Sequence, residues 1–132
     1  MNSPTVVVVA SEPGVMVVCW DPHLLHTIGH CLAGFRVFWA VSSVQAVSLY
    51  QQHQEEIDLV LLNLSMPPTR HGGLAVFDAL RTINPAVRCA FMSAFADEDD
   101  VADLMCRGAV GFLHKPFQWD EFVKAMRELS LR

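Results

Sequence analysis

Asn63 is the residue of greatest chemical consequence in this sequence. It ends the apolar run 58–63 (DLVLLN), and the turn-forming residues 64–67 (LSMP) follow it. A run of this length bounded by a turn is typical of a fully buried strand, and open α/β sheets bind ligands at the tips of such strands. An acidic residue there could hold a metal ion or accept a phosphoryl group. An amide suits neither role, because it is uncharged and its nitrogen is a donor.

Three histidines offer a second possible chemistry. His23, His26 and His30 share one face of a predicted helix, and His26 and His30 are four residues apart, a spacing that can bind a transition metal. Because no third acidic or thiol ligand accompanies them, we favour a solvated polar face and predict no metal site. The four acids at 97–100 are likewise interpreted as a solvated helix start, where the helix dipole favours negative charge.

The composition limits the class of protein. A chain of 132 residues, 52% hydrophobic and 17% charged, suits one compact domain. A net charge of −5 without a Lys/Arg cluster argues against direct nucleic-acid binding. The four cysteines are widely spaced and lack a CxxC motif, which favours reduced thiols in a cytoplasmic protein. No apolar run approaches the ~18 residues of a membrane span, so no membrane contact is predicted.

The patterning predicts five strands that alternate with five helices. The strands are expected at residues 15–19, 35–41, 58–63, 87–93 and 110–114, and the helices at about 22–33, 44–53, 74–83, 97–107 and 119–129. Ser43 is expected to cap the second helix. The second helix carries the apolar residues Val44, Val47 and Tyr50. In the fourth helix Val101, Leu104 and Met105 are expected to face the core. This alternation indicates an α/β fold with a parallel sheet between two layers of helices.

Several segments resemble the CheY-like receiver domains of bacterial two-component response regulators. Residues 58–67 are similar to the family's phosphoacceptor strand, residues 92–94 (MSA) to the end of its fourth strand, and residues 108–117 (GAVGFLHKPF) to its fifth strand. The resemblance covers residues 15–130. It implies a flavodoxin-like, doubly wound (βα)5 three-layer sandwich, whose five-stranded parallel sheet has the order 2-1-3-4-5.

The resemblance assigns roles by position. Asn63 stands where the family has its phosphorylated Asp, Ser93 where a hydroxyl contacts the phosphoryl group, and Lys115 where a lysine pairs with the phosphoryl oxygens. Phe112 matches the switch aromatic that moves with that hydroxyl. Pro116 matches a proline whose preceding peptide bond is usually cis in the family.

The acid pair that holds Mg²⁺ after the family's first strand is missing here. The sequence has two valine-rich runs that could be the first strand, residues 5–9 and residues 15–19. If the later run is the first strand, the positions of the missing acids are Cys19 and Trp20. The earlier run would place them at Ala10 and Ser11. We prefer the later run, because the earlier one would let Pro22 interrupt the first helix.

The preferred placement divides the chain into an N-terminal extension, residues 1–14, and a receiver-like domain, residues 15–132. The extension contains a short apolar segment, residues 6–9 (VVVV), which cannot pair beside the first strand in a 2-1-3-4-5 sheet. It could add to an edge of the sheet, pair with a partner molecule or lie on the surface. Because an exposed valine run invites edge pairing, we favour an oligomer contact.

Aspartyl phosphorylation needs a carboxylate nucleophile and a divalent cation, and this sequence supplies neither at the family's positions. We therefore expect a pseudo-receiver that is not an enzyme, binds no cofactor or Mg²⁺, and works as an interaction module independently of phosphorylation. The expected partners are proteins: a sensor kinase, an effector domain or a second copy of the chain. They would contact the face of helix 4, strand 5 and helix 5, which includes Val101, Met105, Phe112 and Phe122 or their exposed neighbours.

Two alternatives stay open. The first is a small flavodoxin-like ligand-binding protein or enzyme, which would need a phosphate-cradling loop after its first strand. The second is a working receiver that is phosphorylated at a different residue, such as Ser65 or Asp21.

Overall fold

The computed structural model describes residues 12–131, and its elements alternate along the chain. They are β1 (Gly14–Val18), α1 (Pro22–Cys31), β2 (Arg36–Ala40), α2 (Ser43–His53), β3 (Leu59–Asn63), α3 (Gly72–Ile83), β4 (Cys89–Ser93), α4 (Glu98–Cys106), β5 (Gly111–His114) and α5 (Trp119–Leu129). A 3₁₀ turn over Gln54–Glu56, which the sequence did not predict, links α2 to β3. No helix within residues 12–131 has both the length and the apolar character needed to span a membrane.

The five strands form one parallel sheet in the order β2-β1-β3-β4-β5, which confirms the predicted fold class. Asn63 pairs in register with Met92, and Ser93 pairs with His114. The carboxyl ends of β3, β4 and β5 therefore meet at one edge of the sheet. The later valine-rich run forms β1, as preferred, whereas residues 5–9, Ala10 and Ser11 lie outside the described residues.

Burial of the central strands on both faces explains their continuous apolar sequences. All residues of β1, β3 and β4 are buried, and alternate side chains enter opposite layers of the core. Met16, Val18, Val60 and Leu62 pack with α2, α3 and α4 on one side. Val15, Val17, Leu59 and Leu61 pack with α1 and α5 on the other. The strand tips are consequently held by a rigid, doubly covered scaffold.

Side-chain caps fix where the helices begin. The Asp21 carboxylate accepts a hydrogen bond from His23 N at 2.9 Å, and Pro22 occupies the first turn of α1. Asp97 and Asp100 form a reciprocal capping box at the start of α4. The prediction that Ser43 caps α2 is wrong by one residue, because the Ser42 hydroxyl accepts from Gln45 N at 3.2 Å.

Val44 of α2 and Met105 of α4 are exposed, and the prediction that Met105 faces the core is wrong. Val44 is 82% exposed, because the buried face of α2 follows Ala46 and Tyr50, and a residue two places from Ala46 is turned about 200° from it. Met105 is 44% exposed for the same geometric reason, since Leu104 points into the core and its neighbour is turned about 100° away. Apolar periodicity identified both helices but did not resolve which apolar residues face inward.

Substitution of Leu61 by alanine tests the doubly buried centre of the sheet. Leu61 is fully buried in β3, so we expect Leu61→Ala to lower the free energy of unfolding by about 2–5 kcal/mol, measured by urea denaturation. The control Val44→Ala removes an exposed apolar side chain and should change that free energy by less than about 0.5 kcal/mol. Similar losses for both variants would contradict this assignment of the core.

Candidate functional site

Four of the predicted site residues lie at the carboxyl edge of the sheet. Asn63 ends β3 and Ser93 ends β4, and both are buried although they are polar. Lys115 directly follows β5 and is half-buried, while Cys19 directly follows β1 and is fully buried. Because the strands are parallel, residues that are far apart in sequence are gathered at one edge.

The amide of Asn63 is engaged at both ends. Its Oδ1 accepts a hydrogen bond from Lys115 Nζ at 2.5 Å, and its Nδ2 donates to the Ser65 carbonyl oxygen at 2.5 Å. The first bond joins the tip of β3 to the residue after β5, and the second fixes the loop that leaves β3. The oxygen that faces the lysine therefore already has a charged donor, and the nitrogen cannot act as a metal ligand or nucleophile while it donates.

Trp20 extends this arrangement to the loop after β1. Its indole Nε1 donates to the same Ser65 carbonyl oxygen at 3.1 Å, and the side chain remains half exposed. A carbonyl oxygen has two lone pairs, so it can accept from Asn63 and Trp20 together. We call these four residues, Trp20, Asn63, Ser65 and Lys115, the tip network.

Lys115 carries its charge without a carboxylate hydrogen-bonded to it in the described structure. Partial burial lowers the pKa of its ammonium group, because desolvation disfavours the charged form. Nearby Cys19 and Asp21 raise this pKa and so partly oppose the effect of burial. The Asn63 oxygen accepts a hydrogen bond from the ammonium group but adds no full negative charge.

Cys19 cannot replace a carboxylate ligand at the first vacated acid position. Burial raises the pKa of its thiol, with the Lys115 charge only partly opposing this, so the neutral form is favoured. The nearest carboxylate in sequence, that of Asp21, caps α1. Mg²⁺ requires hard oxygen ligands in octahedral geometry. A soft thiol, an indole and an amide bonded to lysine do not fit that ion.

Ser93 and Phe112 occupy their predicted places in the fold. The Ser93 hydroxyl oxygen accepts a hydrogen bond from Phe95 N at 3.1 Å, which turns the chain away from β4. Phe112 on β5 is half-buried against the core, and its ring meets that of His114 with centroids 4.7 Å apart. The Lys115–Pro116 peptide bond is cis.

The sequence did not predict three features of the loop between β3 and α3. The Pro67–Pro68 bond is cis. A small cavity of about 70 Å³ adjoins Ser93 and is also lined by Arg70 and His71. A Cβ added at Gly73 would lie 2.3 Å from the Asn63 carbonyl oxygen, so only glycine allows α3 to begin this close to the tip of β3. The Gly72-Gly73 dipeptide is the sequence signal that could have predicted this close contact between α3 and the tip of β3.

The exposed histidines of α1 are not part of the tip network. His26 and His30 are exposed neighbours on α1. Among residues 12–131, no group of three or more His, Cys, Asp or Glu side chains is placed to hold a metal ion. Of the two alternative phosphoacceptors, Ser65 is exposed and Asp21 is the α1 cap.

The chain is similar in sequence to a known protein family and to several of its members. A family model described as "Response regulator receiver domain" matches residues 15–127. Transcriptional regulatory protein MalR of Bacillus subtilis (strain 168) is 34% identical over 95 residues, which make up 72% of this chain and 39% of MalR. Chemotaxis protein CheY of the same strain is 30% identical over 89 residues, 67% of this chain and 71% of CheY.

Solved structures agree with the fold. The non-phosphorylated HemR receiver domain from Leptospira biflexa gives a TM-score of 0.82 at 25% identity, covering 92% of this chain and 96% of that chain. A chain of the CheX-CheY-BeF3-Mg complex from Borrelia burgdorferi gives 0.81 at 22% identity, covering 90% of each chain. This chain spans well under two thirds of some curated relatives, including 10% of sensor kinase CckA of Brucella abortus (strain 2308).

A double-mutant cycle tests the bond at the centre of the tip network. We expect Asn63→Leu and Lys115→Met each to change the free energy of unfolding, with a coupling between them of about 1 kcal/mol, because each removes the other's partner. The measurement is urea denaturation of the two single variants and the double variant.

Lys124→Met supplies the matched control, since Lys124 is an exposed lysine on α5. Its effect should add to that of Asn63→Leu within about 0.5 kcal/mol. Equal coupling for Lys124 and Lys115 would show that the Asn63–Lys115 bond contributes nothing specific.

Proposed function

The chain belongs to the response regulator receiver domain family of two-component signalling, and we propose that it works there as a pseudo-receiver without phosphorylation. The observation that carries this proposal is the Asn63 amide, which stands at the phosphoacceptor position and is hydrogen-bonded at both ends. An amide oxygen is a poor nucleophile compared with a carboxylate, and here it accepts from an ammonium group.

The loss of the metal ligands supports the same proposal independently. Phosphoryl transfer needs a cation to neutralise the oxygens of the moving group. Cys19 and Trp20 offer no hard oxygen, and Lys115 is a single charge on a flexible stem that cannot replace an octahedral divalent ion. We therefore propose that the domain requires no Mg²⁺ or other cofactor for its signalling role and catalyses no reaction.

The proposed output is protein binding through the face of α4, β5 and α5. Met105 is exposed on α4, and Phe112 is half-buried on β5. A groove of about 410 Å³ lies between β5 and α5, lined in part by Phe117, with the buried Phe122 among its lining residues. Apolar side chains that are accessible on such a face, with polar groups around them, favour a protein partner over a small polar ligand. Partners of this kind include a sensor kinase, an effector domain and a second copy of this chain.

Incubation with a small phosphodonor and Mg²⁺, followed by intact mass measurement, tests the pseudo-receiver proposal. We expect no phosphoryl adduct on the native chain, and none on Asn63→Asp, because that variant still lacks the acid pair. The triple variant with Cys19→Asp, Trp20→Asp and Asn63→Asp restores the carboxylates and should gain an adduct at residue 63.

The triple variant is the positive control, because it shows that the fold still supports the chemistry once the side chains return. An adduct on the native chain would overturn the proposal. Peptide mapping of that adduct would then distinguish phosphorylation of Ser65 from phosphorylation of Asp21, the two alternative acceptors.

Measurement of self-association tests whether a second copy of the chain binds to the face of α4, β5 and α5. We expect sedimentation velocity to show concentration-dependent dimers that Met105→Glu weakens at least about tenfold, because a charge would be buried at the contact. Val44→Glu places the same charge on an exposed apolar site of α2 and should leave association unchanged. Equal weakening by both variants, or a monomer at all concentrations, would remove the second copy as the partner of this face.

A further inference from the structure

His26 and His30 form a close pair on the exposed surface of α1, away from the tip network. They are one helical turn apart, and their Nε2 atoms lie 3.1 Å from each other. The two rings meet edge to face, with centroids 4.6 Å apart and an angle of 82° between the ring planes. Both side chains are exposed, so solvent ions reach the pair freely.

These two distances match those of two imidazoles bound to one metal ion. Metal–nitrogen bonds of about 2.0–2.1 Å at an angle between 90° and 109° place the two nitrogens about 2.8–3.4 Å apart. If each lone pair points directly at the metal and the nitrogen–metal–nitrogen angle is 90°, the centroids of the two rings are about 4.5 Å apart. The observed centroid distance fits the right-angled arrangement, and the observed nitrogen distance of 3.1 Å lies inside the range for the two angles, so the pair needs little movement to chelate.

The surroundings of the pair leave room for the other ligands of an ion. A groove of about 430 Å³ adjoins it and is lined by Pro22, Leu25, His26, Gly29, His30 and Trp39. Gly29 keeps this groove open, because a Cβ there would lie only 3.1 Å from Trp39 Cζ2. None of the six lining residues is a lysine or arginine whose charge would repel a cation.

Although the sequence alone favours a solvated face here, we propose from this geometry that His26 and His30 form a bidentate site for a transition-metal ion, with Cu²⁺ bound most tightly and water filling the remaining positions. Imidazole nitrogen suits Cu²⁺, Ni²⁺ and Zn²⁺, and the stability of such complexes peaks at Cu²⁺. Binding breaks the contact between the two nitrogens, places each ring proton on Nδ1, and leaves both Nε2 lone pairs for the ion. Since no group of three or more metal-ligating side chains is found within residues 12–131, the bound ion keeps exchangeable positions.

Titration of the tag-free protein with Cu²⁺ alone, followed by proton–nitrogen NMR, tests the proposal. One equivalent should broaden the signals of Gly29 and the Trp39 indole, because a paramagnetic ion in the groove lies close to both. Calorimetry should show that His26→Gln and His30→Gln each weaken Cu²⁺ binding at least about tenfold, with Ni²⁺ and Zn²⁺ weaker than Cu²⁺ and Mg²⁺ without effect.

His71→Gln is the control, because it removes an exposed histidine from the loop before α3 and should leave Cu²⁺ affinity unchanged. Both α1 substitutions replace exposed side chains, and unchanged spectra of the metal-free variants would verify their folds. Broadening centred elsewhere, or unchanged affinity in His26→Gln and His30→Gln, would overturn the proposal.

Discussion

The hydrogen bond from Lys115 Nζ to Asn63 Oδ1 is the interaction on which the arrangement at the sheet edge depends. A half-buried ammonium group must find acceptors to replace the water it loses. Asn63 supplies one acceptor, and its own nitrogen is then directed at the Ser65 carbonyl, which also receives the Trp20 indole. One lysine charge thereby orients neutral hydrogen-bonding groups in the loops that follow β1 and β3. A bond to a charged donor is worth about 1.5–3 kcal/mol when buried and less at this half-exposed position.

The tip network gains its geometry from the packing beneath it. β1, β3 and β4 are covered on both faces, so their carboxyl ends cannot shift independently. The close approach at Gly73 adds α3 to the same rigid unit. A receiver that responds to phosphate changes the charge at this edge, whereas the pseudo-receiver we propose, with its Asn63 amide bonded to Lys115, has no such change to transmit. Under that proposal a change of state comes from differential binding of a partner elsewhere, which is why the α4, β5 and α5 face matters to the proposed function.

Local sequence signals were sufficient for the strands and helices, and the resemblance to receiver domains pointed to Asn63, Ser93 and Lys115, which the structure brings to one edge of the sheet. Continuous apolar runs specified the central strands because both faces are buried, and Asp21-Pro22 specified the start of α1 through its capping chemistry. Those signals failed where the answer depends on distant residues. Exposure of Val44 and Met105 follows from how each helix is rotated against the sheet. The role of the Ser65 carbonyl as a shared acceptor was also missed. Every residue has a backbone carbonyl, so residue type does not reveal which one accepts these hydrogen bonds.

Nuclear magnetic resonance of the Asn63 side-chain carboxamide, recorded with and without Mg²⁺ and a small phosphodonor, tests the central claim most directly. A carboxamide bonded to both Lys115 and Ser65 should give two well-resolved NH₂ signals with slow hydrogen exchange, and neither addition should move them. Signals that exchange as fast as a free amide, or that shift when Mg²⁺ and the phosphodonor are added, would contradict the account of a site closed by its own side chains.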